Sequence, residues 1–330
     1  MFKFFISETE LSRVPGLSAA GANVDVIPYT APADADMLFY DRPRIIDCVP
    51  LDPMGHPTPA LVTKAAILEG KFPVSVVRVG SSLAPVAPHL EVSSVIGKDP
   101  RNGVAVAVVD MKEISEKCKA DAEDFVKHND KIVIAESIPG GTTTALMLLR
   151  SLGYDGMVSS AGPVNPLSIK EEIWNDVSRR LGIKMGGLKG KGLAAAAEVG
   201  DPMQVAVASF VTALPKRFNV TLAGGTQMEA VAALIRDMGD TRDMTVATTK
   251  YVAEDKSGCF KDYAEKIGVD WYAAPLDFSN SEFKGLRDYE IGYVKEGVGM
   301  GGAVRYAIEC GATMENILKR CDDLYASLIA

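Results

Sequence analysis

KIVIAESIPGGTTTALMLLRSL, residues 131–152, reads as a strand, a glycine turn and a helix in unbroken succession. The apolar run ahead of Glu136 shows no in/out alternation, which is the pattern of a parallel strand covered on both faces. Pro139, Gly140 and Gly141 break the strand, and Thr142, Thr143 and Thr144 open an amphipathic helix. Glycines let backbone N–H groups come close to a ligand, threonines add hydroxyl donors, and a helix start carries partial positive charge. The turn therefore has the make-up of a phosphate cradle. A tight strand-to-helix turn with a threonine cap is the ordinary alternative. No Lys follows the glycines, so this is not a Walker A loop, and G-x-G-x-x-G is absent from it.

The same design recurs outward from this unit. NVTLAGGTQMEA (219–230) is strand, then Gly224 and Gly225, then Thr226 and helix; VVRVGSS (76–82) places Gly80 and Ser81 after a strand. Strands are expected at 24–27, 45–49, 74–79, 104–109, 132–136, 156–160, 220–223, 245–248 and 270–273. Helices are expected at 59–69, 111–128, 142–152, 167–181, 202–214, 226–238, 260–267, 299–310 and 314–328. This alternation predicts a three-layer α/β/α fold on a mainly parallel, doubly wound sheet, plus a smaller helical portion. We expect one large α/β domain over 1–330, with helices from about 299 to 330 and part of the N-terminus forming the smaller helical layer. Glycine loops at the carboxyl ends of parallel strands line one rim, which is where open α/β sheets bind ligands. The glycine-rich segment GIKMGGLKGKG (182–192) reads as a surface loop or as a flap over that rim.

A fourth glycine cluster is KEGVGMGG (295–302). Gly297, Gly299 and Gly302 satisfy G-x-G-x-x-G, yet residues 288–295 are too polar for a buried first strand. Only 28 residues follow Gly302, so no βαβ unit fits and the dinucleotide reading is rejected. Glu296 stands among these glycines beside a helix start. A carboxylate so placed suits proton transfer; a solvated loop glutamate is the alternative.

Composition narrows the function further. The 330 residues carry 35 Lys and Arg against 43 Asp and Glu, a formal charge of −8 with no basic run, which argues against nucleic acid or an anionic membrane surface as partner. The five cysteines are scattered and form no CxxC, as expected of reduced thiols in a cytoplasmic protein. With three histidines, no imidazole-based metal site is expected, and no cofactor is implied. The start, MFKFFISETELSR, meets acidic residues too soon for a signal peptide, and no apolar run spans a membrane. His56 and His89 read as loop histidines in Pro-rich segments. GPVNP (162–166), following Ser159 and Ser160, is a possible further substrate loop.

Taken together, ESIPGGTTTA (136–145), LAGGTQM (222–228) and KEGVGMGGA (295–303) resemble the nicotinate-nucleotide:dimethylbenzimidazole phosphoribosyltransferase (CobT-like) family of cobalamin biosynthesis, and its shorter, archaeal-type branch above all. The likeness runs from about residue 74 to about 311. The first loop parallels the family's Glu-x-x-x-Gly-x-Thr-Thr phosphate loop at Glu136, Gly140, Thr142 and Thr143. The last resembles its Gly-Glu-Gly-x-Gly-Ala segment and implies the catalytic glutamate at Glu296. Three departures stand out: Ile138 and Gly141 in the first loop, Ala223 where the main family has Asp, and no counterpart of its Pro-Pro-Gly-Ser-Leu-Gly segment.

The resemblance implies transfer of ribose 5-phosphate from nicotinate mononucleotide to a benzimidazole-type or purine base, by a homodimer. Glu296 would be the base and Glu136 a second catalytic carboxyl. Gly140, Gly141, Thr142 and Thr143 would hold the phosphate, with Gly224, Gly225 and Thr226 opposite and Gly80, Ser81, Gly297 and Gly299 completing the substrate site. A non-catalytic nucleotide or phosphate sensor in a corrinoid pathway, or another nucleotide-using enzyme on the same fold, is the alternative.

Overall fold

In the first strand, β1 (Phe2–Ile6), every residue is buried, and the period of two sends Phe2, Phe4 and Ile6 to one side of the sheet and Phe5 to the other. The chain continues through β2 (Val74–Val79), β3 (His89–Ser93), β4 (Ile132–Ser137), β5 (Val220–Ala223), β6 (Met244–Thr249) and β7 (Asp270–Ala274). The structure is a computed structural model and describes residues 1–18, 24–48, 50–52 and 54–330. Every strand pairing is parallel, in the order β3-β2-β1-β4-β5-β6-β7. The chain winds outward from β1 to β3, returns to β4 on the other side of β1 and winds out again, so the sheet is doubly wound with its order reversing between β1 and β4.

The helices are α1 (Ile27–Phe39), α2 (Ala60–Gly70), α3 (Val108–Phe125), α4 (Gly141–Leu152), α5 (Leu167–Leu181), α6 (Leu193–Val199), α7 (Pro202–Ala213), α8 (Thr226–Asp237), α9 (Lys250–Ala253), α10 (Phe260–Ile267), α11 (Lys284–Arg287), α12 (Met300–Glu309) and α13 (Met314–Ile329). Helices α3 to α8 and α10 share a core with the face that carries Phe5, Ile134, Leu222 and Val246. Helices α1, α2, α12 and α13 cover the opposite face, against Phe4, Val133, Ala135 and Ala223. This is the expected three-layer α/β/α architecture. Among the described residues no helix is long and apolar enough to cross a membrane.

Several local expectations are corrected. β1 and the edge strand β3 are missing from the expected strands. Lys3 disguises β1 as a polar start, but its ammonium reaches Asp121 at 2.8 Å and lies 5.1 Å from the centre of the Phe210 ring, so the residue is buried. Residues 24–27 are not a strand: Val24 is exposed and Ile27 opens α1, with a proline in its first turn. Residues 45–48 are bends and irregular chain with no strand, and Val49 lies outside the described residues. Val104, Val108 and Val109 are exposed, and Val108 begins α3, so 104–109 has no sheet to join. Residues 156–160 run without ladder partners; Gly156, at φ 155, passes against the Tyr263 ring where a Cβ would have no room.

Candidate active site

Three strand ends and three helix starts meet on one rim. β4 runs into Glu136 and Ser137, and Gly140, at φ 83, turns the chain into α4. β5 runs into Gly224 and Gly225, the latter preceding α8. β6 ends in Thr248 and Thr249. α12 starts directly on these strand ends, because Gly299, Gly301 and Gly302 have no side chains to hold it off. A Cβ at Gly299 would meet Ala135 and Ala223, one at Gly302 would meet Ala223, and one at Gly301 would overlap the Thr248 carbonyl.

That close seating buries Glu296. Its carboxylate accepts from the Gly297 N–H at 3.1 Å, the Gly301 N–H at 3.4 Å and the Thr248 hydroxyl at 3.2 Å. The backbone on either side is strained. Val294 and Val298 sit at φ 53 and 54, a left-handed conformation that costs a β-branched residue energy and persists only where the surroundings enforce it. Thr63 enforces it at Val298 by donating its hydroxyl to the Val298 carbonyl at 3.0 Å, and Pro59 packs against Gly297.

Between these ends lies a cavity of ≈ 40 Å³. Of the residues expected in the site, Glu136, Thr142, Gly225, Thr226, Glu296 and Gly297 line it. So do Ser159 and Ser160, which lead into the suspected further loop at 162–166, and Ala161, Gln227, Val252 and Lys295, which the motifs did not single out as site residues. That volume has room for ordered water. Gly224 stands beside Glu136: a Cβ there would be 3.4 Å from Oε1. Gly140 and Gly141 shape the turn, against Ser12 and Thr9 in one case and Ile138 and Gln227 in the other. Thr143 is fully buried, and its hydroxyl has no partner among the described residues. Gly299 is spent on the seat of α12.

Gly80 and Ser81 lie elsewhere. They follow β2, on the far side of β1 from β4, where Gly80 faces Pro202 and Ser7 and the Ser81 hydroxyl donates to the Leu83 carbonyl. They do not line the cavity. The segment 182–192 is not a flap over this rim. It is pinned to the carboxyl ends of the helices whose amino ends form the site: Gly190 and Gly192 donate to Asp237 at the end of α8, and Gly186 donates to the Arg150 carbonyl near the end of α4. His89 lies on β3, whereas His56 is buried between Asp52 at 2.7 Å and Asp288 at 2.9 Å and stacks on Tyr293, tying the 50–58 segment to the stretch that leads to Glu296.

The electrostatics favour proton exchange. Burial pushes the Glu296 carboxyl up to about 7, against the opposing pull of the Gly297 and Gly301 N–H groups and Thr248. Burial likewise pushes Glu136 up to about 8, aided by the negative charges of Glu296, Asp201 and Asp34. Both carboxyls thus hold a proton well above the ordinary carboxylate range, so the site can exchange protons near neutral pH, as acid–base chemistry needs. Asp34, bonded by Thr58 and Ser137, and Asp201, bonded by Thr144 and the Gln204 N–H, are raised by burial to about 6.

These shifts fix a pH dependence of stability. A carboxyl whose folded value lies above its unfolded value of about 4 contributes most below that value, and the contribution fades as pH rises through the folded one. The melting temperature of the ligand-free protein is therefore expected to fall between about pH 5 and 8. Glu136→Gln should flatten the upper part of that fall and melt higher than the wild type at pH 8; an unchanged slope in a pH series of melting curves would contradict the assignment.

No protein-family model matches the chain. It is 48% identical over 332 residues to a UPF0284 protein from Pyrococcus furiosus, spanning 100% of this chain and 99% of that protein. Identity is 47% to a UPF0284 protein from Thermococcus kodakarensis, over 100% of this chain and 98% of the relative, and 38% to one from Sulfurisphaera tokodaii, over 98% and 92%. Among solved structures it is similar to CobT from Thermus thermophilus, with a TM-score of 0.59 at 15% sequence identity over 99% of this chain and 83% of that one. A second structure, described as a nicotinate-nucleotide-dimethylbenzimidazole phosphoribosyltransferase from the same organism, matches with a TM-score of 0.58.

Proposed function

The chain belongs to the UPF0284 family, and on that footing we propose that it is a phosphoribosyltransferase moving ribose 5-phosphate from nicotinate mononucleotide to a benzimidazole-type or purine base. The observation that carries this reading is the cavity in which Glu136 and Glu296 meet the starts of α4, α8 and α12. The fold shared with CobT and the matching loop motifs support it.

The chemistry fits the inventory. The 5′-phosphate takes the N–H groups and hydroxyls at the starts of α4 and α8, where Thr142, Gly225 and Thr226 stand. The C1′–N bond breaks with its electron pair going to the pyridinium nitrogen, so the ring leaves neutral there and needs no Lewis acid. The acceptor nitrogen attacks C1′ from the opposite face. Glu296 removes the proton that the acceptor's N–H must lose, a role worth about 10²–10⁴ in rate. Glu136, protonated at neutral pH, donates a hydrogen bond to the ribose or the acceptor. Since Glu296 works ionised and its value is about 7, kcat/KM should rise with pH through neutrality.

The test is to incubate the protein with nicotinate mononucleotide and a panel of bases and to follow nicotinate and riboside phosphate by mass detection. Equal amounts of both with one base support transfer. Nicotinate released without any base means hydrolysis, and no release with any base, alongside a raised melting temperature, means a sensor; either result displaces the proposal.

A further inference from the structure

We propose that His56, which lies outside the cavity, is a positioning residue for Glu296: clamped between Asp52 and Asp288, it carries the Tyr293 ring on its face and so fixes the turn that brings the glutamate to the cavity. The inference rests on the phosphoribosyl-transfer reading for what Glu296 does, and adds to it the side chain that holds that carboxyl in place.

The clamp follows from the hydrogen-bonding capacity of the ring. Nδ1 stands 2.7 Å from an Asp52 carboxylate oxygen, and Nε2 stands 2.9 Å from one of Asp288. A neutral imidazole has one N–H and one lone pair, so it would donate to one of these carboxylates and turn its lone pair on the other. Both contacts are bonds only for the imidazolium, which donates from both nitrogens. Lys284 also donates to Asp288 and holds that carboxyl below the usual carboxylate range, so the proton stays on the ring. Asp52 is fixed in turn, because its other oxygen accepts from the Met54 N–H at 2.8 Å and the His56 N–H at 2.9 Å.

The chain on either side of His56 is pinned as well. Tyr325 donates its hydroxyl to the Gly55 carbonyl at 2.8 Å, and Tyr289 donates to the Pro57 carbonyl at 2.7 Å. A Cβ at Gly285 would overlap the Gly55 carbonyl, so the segment lies directly on α11. The buried imidazole stacks on Tyr293 with ring centres 4.2 Å apart and planes 28° apart. A cationic ring against a tyrosine face is attracted by the π electrons as well as by contact.

What the clamp holds is the entry to the glutamate turn. After Glu296, Pro59 packs on Gly297 and Thr63 bonds the Val298 carbonyl. Before it, Gly292 at φ 92 and Val294 at φ 53 flank Tyr293, and a left-handed valine persists only where its surroundings enforce it. Lys295 is held through its main chain by the Ala161 carbonyl and the Thr249 hydroxyl. At Tyr293 the enforcing contact is the His56 ring. The stretch 56–63 therefore grips the turn on both sides of Glu296, with His56 ahead of it and Pro59 and Thr63 behind.

The test compares turnover of nicotinate mononucleotide with one acceptor in the wild type, His56→Gln, Glu296→Gln and the double variant. Gln can donate to one of the two carboxylates and has no ring for Tyr293 to lie on. His56→Gln should lower kcat about tenfold in the wild type and by less than about twofold in the Glu296→Gln background, because its effect passes through Glu296. Equal losses in both backgrounds, or no loss in the first, overturn the proposal, since a residue serving only the fold costs both proteins alike. Should His56→Gln fail to fold, Tyr293→Leu takes its place in the same cycle with the same criteria: it keeps both bonds of His56 and removes the stack. Should the wild type turn over nothing, the transfer reading has failed on its own, and amide hydrogen exchange decides the clamp. The Gly297 and Gly301 N–H groups, which donate to Glu296, should then exchange about tenfold faster in the variant, with the amides of β1 unchanged. Unchanged protection at the two glycines overturns the clamp, and so does a uniform rise that includes β1.

Discussion

Glu296→Gln is expected to lower turnover by about 10²–10⁴ while nicotinate mononucleotide still binds. Gln keeps the shape: its Oε1 can still accept from the Gly297 and Gly301 N–H groups and its NH2 can donate to the Thr248 hydroxyl oxygen, so α12 stays capped and the strained turn keeps its anchors. What is lost is the ability to take a proton. Because the charge that repels Glu136 also goes, the Glu136 carboxyl should ionise at lower pH than in the wild type. The checks are steady-state kinetics beside calorimetric titration of the nucleotide. Unchanged turnover would remove Glu296 from the chemistry; lost binding together with lost turnover would make it a structural residue.

The second large effect concerns the seat of the helix. Gly301→Ala should destabilise the protein by about 3 kcal/mol, the upper end for overpacking, because the added methyl meets the main chain of β6 and not a side chain that can turn aside. Relief requires α12 to rise from β4, β5 and β6, which also pulls the Gly301 N–H away from Glu296. Activity should therefore fall with stability. Gly103→Ala is the matched control, since a Cβ there meets nothing within 4 Å. Urea midpoints of the two variants make the comparison, and a Gly301→Ala midpoint equal to the control's would refute the close seating of α12.

The parts of the site that were legible in the sequence are those whose signal is local. The run 132–135 is apolar because the strand is covered on both faces, and the glycines and threonines that follow Glu136 announce the turn and the helix start within a dozen residues. Glu296 was legible for the same reason, standing amid glycines that let α12 lie on the sheet. The central strand β1 was not, because Lys3 reads as solvent-exposed until Asp121, over a hundred residues away, is brought beside it. Residues 156–160 mislead in the opposite sense: they are small and partly apolar like a strand, but their polar groups serve Thr226, Asp255 and Lys170 in place of a ladder. Lys295 and Asp255 are separated by 40 residues, and the strain at Val294 and Val298 comes from distant anchors. Neither leaves a mark in any short window. Gly80 and Ser81 share the local pattern of the other loops, yet they follow a strand beyond β1, which strand order alone reveals.

The most direct test of the site is a crystal structure of the protein with nicotinate mononucleotide bound. The account predicts the 5′-phosphate at the starts of α4 and α8, in contact with Thr142, Gly225 and Thr226, with C1′ turned toward Glu296. A nucleotide seated instead at Gly80 and Ser81, or anywhere that leaves Glu296 remote from C1′, would contradict it.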